Sequence, residues 1–173
     1  MSGPAARSDF SALYEAHFDF VWNTLRRLGV AEAHREDVAH EVFVTAWKKL
    51  ADYDPSRPLK PWLFGIAFRL ASDFRARAVH QREVSDDGAD AVDEARSPEG
   101  AVEQSQAQAL VRAALAAIPV ERRAVFVMHE LEGLSIPEVA EAMEIPLNTA
   151  YSRLRLARQD FAEDVKRRQK GAA

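Results

Sequence analysis

An all-α fold is predicted, two small helical domains joined by a flexible acidic linker with a helix-turn-helix in the second, and three observations predict it. Apolar residues recur at three- and four-residue spacing through the long periodic stretches, as one buried helix face requires. Between Val79 and Gln104 eight acids (Glu83, Asp86, Asp87, Asp90, Asp93, Glu94, Glu99, Glu103) face only Arg82 and Arg96. With Gly88, Pro98, Gly100 and few large apolar residues, that stretch buries too little surface to offset its ordering. Third, Gly133 to Arg158 reads as two short helices joined by a tight turn. The expected boundaries are 8–79 for the first domain, 80–104 for the linker and 105–170 for the second domain.

Composition narrows the class. A chain of 173 residues, 47% hydrophobic, has no run approaching the roughly 20 apolar residues of a membrane span, so a soluble protein without membrane insertion is expected. The short polar N-terminus lacks a basic-then-apolar arrangement, and the absence of cysteine removes disulfides and thiolate metal sites. A cytoplasmic location is expected, with no cofactor and no metal. The net charge of −4 looks wrong for a nucleic-acid binder, but the acidic stretch alone carries −6, leaving the two folded parts at +2.

In order along the chain, Phe10 to Leu28 is expected as a helix capped by Ser8 or Asp9, with Phe10, Leu13, Tyr14, Val21, Leu25 and Leu28 on one stripe and Gly29 as its stop. His17 lies near that stripe and reads as a packed or partly exposed histidine, not a ligand, since no second ligand stands at metal-site spacing. A second helix, Arg35 to Leu50, gathers Val38, Ala39, Val42, Phe43, Ala46, Trp47 and Leu50 on a core arc. Asp37, His40, Glu41, Val44 and Lys48 stand outside it. A valine among charges suits a docking face for another protein, and fits a solvated face as well. Pro55, Pro58 and Pro61 make 52–61 a stiff extended loop bearing Arg57 and Lys60. From Pro61 a third helix places Leu63, Ala67, Leu70 and Phe74 inside, with Trp62, Gly65, Arg69, Asp73 and Ala76 opposite and Arg75 and Arg77 nearby. Trp62 beside arginines is either a platform on which unpaired bases stack or a side chain folded back into the core.

In the second half, Ser105 to Ile118 and Glu121 to Leu131 are expected as helices, stopped by Pro119 and Gly133. Ser135 and Glu138 form a capping box that opens the next helix, and Pro137 is tolerated in its first turn. Pro146 ends it, and a further helix begins near Leu147 or Asn148 with Ala150, Leu154, Ala157 and Phe161 inward. Its other side carries Asn148, Tyr151, Ser152, Arg155 and Arg158, with Thr149, Arg153 and Leu156 on a shoulder and no acid before Asp160. Amide, hydroxyl and guanidinium groups on one short helix supply donors for base edges and charge for phosphates. His129, at the end of the preceding helix, is a candidate phosphate contact, and Lys166 to Lys170 reads as a phosphate-contacting tail or a frayed end.

These segments carry a resemblance. EDVAHEVFVTAW is similar to the EDLxQExFLxAW segment, and PWLFGIAFRLASDFRAR to the WLxxIARNxxxDxxRR segment, of bacterial RNA polymerase sigma factors of the extracytoplasmic-function type. The stretch from Ile118 to Arg158 resembles the same family's LPxxxRxxxxLxxxEGLSxxEIAxxLxIPxGTVxSRLxRAR. The resemblance implies a factor, not an enzyme, that binds core RNA polymerase and promoter DNA, in some members under an anti-sigma factor. It implies that Asp37, His40, Glu41, Val44 and Lys48 dock the polymerase clamp. Arg57, Lys60, Trp62, Arg69, Asp73, Arg75 and Arg77 would engage the melted strand. Asn148, Thr149, Tyr151, Ser152, Arg153, Arg155, Leu156 and Arg158, with His129, would read the upstream element.

The chain departs from the family pattern at His40 for glutamine, at Phe68-Arg69 for Arg-Asn and at Asn148 for glycine, the last a candidate cap of the recognition helix. A dimeric helix-turn-helix repressor is the alternative from another class, and would bind operator DNA without polymerase. An enzyme lacks a phosphate-binding glycine loop, a nucleophile elbow or a metal cluster in this sequence.

Overall fold

The computed structural model describes residues 4–84 and 102–171, and side chains over 10–79 and 106–171. Most of the stretch read as a linker therefore lies outside the described residues. Among the described residues the secondary structure is helical, and the chain divides into two compact units.

The first unit holds α1 (Pro4–Arg27), α2 (Glu32–Lys49) and α3 (Leu59–Val84). α1 runs through residues 8 and 9, so neither Ser8 nor Asp9 is its cap: Pro4 suits a first turn, and Ala5, Ala6 and Arg7 continue a helix with no breaker before Gly29. Gly29, at φ 87°, ends α1 as expected, and the Val30 amide donates back to the Leu25 carbonyl at 3.0 Å. Val38, Ala39, Val42, Phe43 and Ala46 of α2 are buried, as their periodicity requires, and α2 packs along α3. Tyr14 and Phe10 of α1 cover this core, their rings 4.5 Å from Phe43 and 4.8 Å from Trp47.

Two expectations for α3 need correction. It begins at Leu59, and its buried side is broader than the wheel allowed, taking in Phe64, Gly65, Ile66 and Ala71 with Leu63 and Ala67. Gly65 thus lies on the buried side of α3 and not opposite it. The preceding loop is not extended. Asp54 and Pro55 open a turn in which the Arg57 amide donates to the Asp54 carbonyl at 3.1 Å, and the Ser56 amide and hydroxyl donate to Asp54 Oδ1 at 2.9 and 2.7 Å. Aspartate at the first and proline at the second turn position are a turn signal that outweighs the spacing of the three prolines.

The second unit holds α4 (Val102–Ala117), α5 (Val120–Phe126), a π-helical turn (Val127–Leu131), α6 (Ile136–Ala142) and α7 (Leu147–Gly171). α7 packs across α4, α5 and α6. Its inward Ala150, Leu154 and Ala157 meet a core of Ile118, Val125, Met128 and Val139, and Phe161 stacks on Phe126 at 5.1 Å. Helix-ending carbonyls of α4 are satisfied by a buried guanidinium. Arg123 donates from Nη2 to the Ala116 and Ile118 carbonyls at 2.7 and 2.9 Å. The KRRQK end is helical through Gly171, with Arg167 and Arg168 ion-paired to the buried Asp164.

Candidate nucleic-acid interface

α6 begins where its capping box demands: Glu138 Oε2 accepts from the Ser135 amide at 2.8 Å and from the Ser135 hydroxyl at 2.7 Å. Those two bonds hold the Glu138 carboxyl below its ordinary value. The turn that follows is made without glycine. Glu144 takes φ 54°, and the Ile145 amide donates to the Ala140 carbonyl at 3.0 Å, the geometry that usually falls to glycine at a helix end. α7 then starts at Leu147, and Asn148 lies inside its first turn. Asn148 therefore is not the cap, and its side chain is left exposed.

On α7, Leu147, Asn148, Tyr151, Ser152, Arg155 and Arg158 are exposed, while Thr149, Arg153 and Leu156 are half-buried on the shoulder. Ser152 is engaged locally, its hydroxyl donating to the Asn148 carbonyl at 2.9 Å. Tyr151 is 53% exposed and Leu147 44%, an apolar pair one turn apart on a solvent-facing helix. Leu147 carries no polar signal, and the sequence reading passed over it.

The π-helical turn decides what lies beside this face. Its wide turn lets the Glu132 amide donate to the Val127 carbonyl at 3.1 Å and the Leu134 amide to the Met128 carbonyl at 3.0 Å, and the chain reverses at Gly133, φ 72°. His129 Nδ1 donates to the Leu134 carbonyl at 2.7 Å, since a carbonyl only accepts. Nε2 is left as the nitrogen available to a ligand. Glu130, which the sequence reading did not single out, accepts from Arg158 Nε at 2.7 Å, with Nη2 2.6 Å from the same oxygen. An open hollow of 730 Å³ results, bordered by His129, Ser135, Tyr151, Arg155 and Arg158 and floored by apolar atoms of Ile136, Pro137 and Leu154. Arg155 at its rim has no ion pair among the described residues.

In the first unit, Asp37, His40, Glu41 and Lys48 are exposed along one side of α2, at the spacing of a single helix face. Val44 is half-buried rather than fully outward. Along α3, Asp73 and Arg77 are exposed and linked by an Arg77 Nε bond to the Asp73 carbonyl at 3.3 Å, while Arg69 and Arg75 are half-buried. Trp62 is half-buried against Tyr53, ring centroids 4.8 Å apart, so it neither enters the core nor stands free. Tyr53 in turn donates its hydroxyl to the Arg57 carbonyl, which joins the loop and Trp62 in one group. Lys60 Nζ lies 5.5 Å from the Phe20 ring centroid. Arg35, another residue the sequence did not mark, is buried with its guanidinium 5.2 Å from the Trp22 ring centroid and Nη2 donating to the Val30 carbonyl at 3.2 Å.

The described residues thus form two all-helical units, the second ending in a helix-turn-helix whose last helix offers a cationic face. Residues 13–81 match the sigma-70 region 2 family and residues 108–161 the sigma-70 region 4 family. The ECF RNA polymerase sigma factor SigL of Mycobacterium tuberculosis is 31% identical over 160 residues, covering 91% of this chain and 90% of SigL. SigE of Mycolicibacterium smegmatis is 30% identical over 161 residues; the match covers 92% of this chain and 62% of that relative's length. The sigma factor RpoE of Bartonella quintana, solved in complex with the anti-sigma factor NepR, shares the fold with a TM-score of 0.74 at 20% identity, over 91% of this chain and 97% of RpoE. The chain belongs to the extracytoplasmic-function family of RNA polymerase sigma factors.

Proposed function

We propose that this chain binds core RNA polymerase in the cytoplasm and directs it to a particular class of promoters, with residues 8–79 engaging the −10 region, 105–170 the −35 element and 80–104 linking them. In this reading Asp37, His40, Glu41, Val44 and Lys48 dock on the polymerase clamp. Arg57, Lys60, Trp62, Arg69, Asp73, Arg75 and Arg77 hold the melted strand, Trp62 offering a stacking surface and the cations neutralising phosphates. Asn148, Thr149, Tyr151, Ser152, Arg153, Arg155, Leu156 and Arg158 enter the major groove, with His129 on a flanking phosphate. An anti-sigma factor is proposed as a further partner, as RpoE has in NepR.

The observation that carries the reading is the exposed face of α7, cationic and hydrogen-bonding, presented by a capped α6 within a stretch that matches sigma-70 region 4. Run-off transcription with purified core polymerase tests it: addition of the chain yields transcripts from its own class of promoter and none from a scrambled one. Subtraction of transcripts made by another factor, with no new start, would mark a repressor instead.

A further inference from the structure

We infer that Glu130 is an internal stand-in for a DNA phosphate, holding Arg158 off non-specific DNA and so sharpening the selectivity of α7. The inference rests on the proposed placement of α7 against DNA.

Glu130 Oε1 accepts from Arg158 Nε at 2.7 Å and lies 2.6 Å from Nη2, so the guanidinium presents one edge to a single carboxylate oxygen, as it would to a phosphate oxygen. The pair spans 28 residues and is tertiary, made because the π-helical turn aims Glu130 at α7. It is also solvent-open, the Arg158 side chain being 55% exposed and Glu130 33%. An exposed pair of this kind is weak and screened by salt, so a duplex can displace the carboxylate, but must do so against its charge. Arg155, on the same rim, has no such partner among the described residues. The two arginines are thereby set apart: Arg155 is available to any duplex, whereas Arg158 reaches a phosphate only where the remaining contacts hold the helix close enough to exchange one anion for the other.

The consequence is a positioning role for Glu130 read through salt dependence. Each phosphate contact that releases a counterion steepens the fall of log K with log salt by about 0.9, and the Glu130 carboxylate cancels that release at Arg158. Binding of the full-length chain, and of its Glu130→Gln, Arg158→Ala, double and Arg155→Ala variants, to a fluorescein-labelled random-sequence duplex is measured by anisotropy across a series of low salt concentrations. Glu130→Gln, nearly isosteric, is expected to tighten binding by up to about five-fold at the lowest salt and to steepen the slope by about one unit. Both effects should vanish in the Arg158→Ala background. A gain that persists undiminished without Arg158, or no gain at all while Arg155→Ala still weakens binding, overturns the inference and leaves the proposed function standing. If Arg155→Ala and Arg158→Ala both leave binding unchanged, α7 is not the DNA face and the inference falls with that reading. A nitrogen-15 NMR spectrum of the free chain supplies a readout independent of affinity. The Arg158 Nε–H chemical shift should move in Glu130→Gln, which removes the carboxylate it donates to; a shift left unchanged by that substitution also overturns the inference.

Discussion

Arg123 shows how a single charged side chain can serve a core. The residue is 3% exposed, yet its guanidinium lies at the carbonyl end of α4, where unsatisfied oxygens concentrate partial negative charge, and it donates to the carbonyls of Ala116 in the last turn and of Ile118 just beyond it. Replacement by methionine keeps most of the apolar volume but strands those carbonyls, so Arg123→Met is expected to cost about 2–4 kcal/mol in urea unfolding followed by circular dichroism. Glu144 is the opposite case, a residue whose backbone works against it. A left-handed conformation strains any side chain with a Cβ, so Glu144→Gly should gain about 1 kcal/mol in the same measurement while leaving the fold of α6 and α7 intact.

At the scale of the element, the α6–turn–α7 unit joins a capped start to an exposed cationic face, on which Arg158 is paired to Glu130 and Arg155 has no ion pair among the described residues. Arg155 projects from the exposed side at the rim of the hollow, and in the proposed function it meets a base edge. Arg155→Ala is expected to weaken binding to a matched −35 duplex by about 1–3 kcal/mol, with a smaller loss on scrambled sequence. Equal losses on both would assign Arg155 to the backbone. The capping box sets where α6 starts and hence the register of the turn; Ser135→Ala should lower thermal stability by about 1 kcal/mol.

At the scale of the whole molecule, the two units report through different probes. All three tryptophans, Trp22, Trp47 and Trp62, belong to the first unit, so intrinsic fluorescence follows that unit while circular dichroism follows both. Their acid responses differ as well. His17 is held below its ordinary value of 6.5 by burial and then by the Lys60 charge, and its buried Nδ1 has no hydrogen-bond partner among the described residues. With the folded value depressed, the unfolded chain takes the proton first. The contribution His17 makes to the first unit's stability is therefore fully present above 6.5 and declines as the pH drops below it. Glu138 is depressed from 4.5 by its bonds to Ser135, so the contribution it makes to the second unit is present above 4.5 and lost only on further acidification. Fluorescence-detected unfolding should accordingly weaken at mildly acidic pH before the remaining helical signal does, and His17→Gln should remove that early loss. An unchanged fluorescence midpoint through this window would show that His17 is not the group responsible.

The sequence by itself determined the all-α class, the helix order, the stop at Gly29, the capping box at Ser135 and the polar face of α7, because each depends on residues within a turn or two of one another. The same local logic carried the exposure of Asp37, His40, Glu41 and Lys48 on α2 and the resemblance to the family. The turn at Asp54 was legible too, but the proline spacing obscured it. Only the tertiary structure decided the inward placement of Gly65, the half-burial of Val44 and Trp62, the burial of Arg35 and Arg123, and the Glu130–Arg158 pair. Each of these depends on a second element arriving from elsewhere in the chain, and periodicity within one helix carries no record of which neighbour will cover it or which distant charge will come within reach.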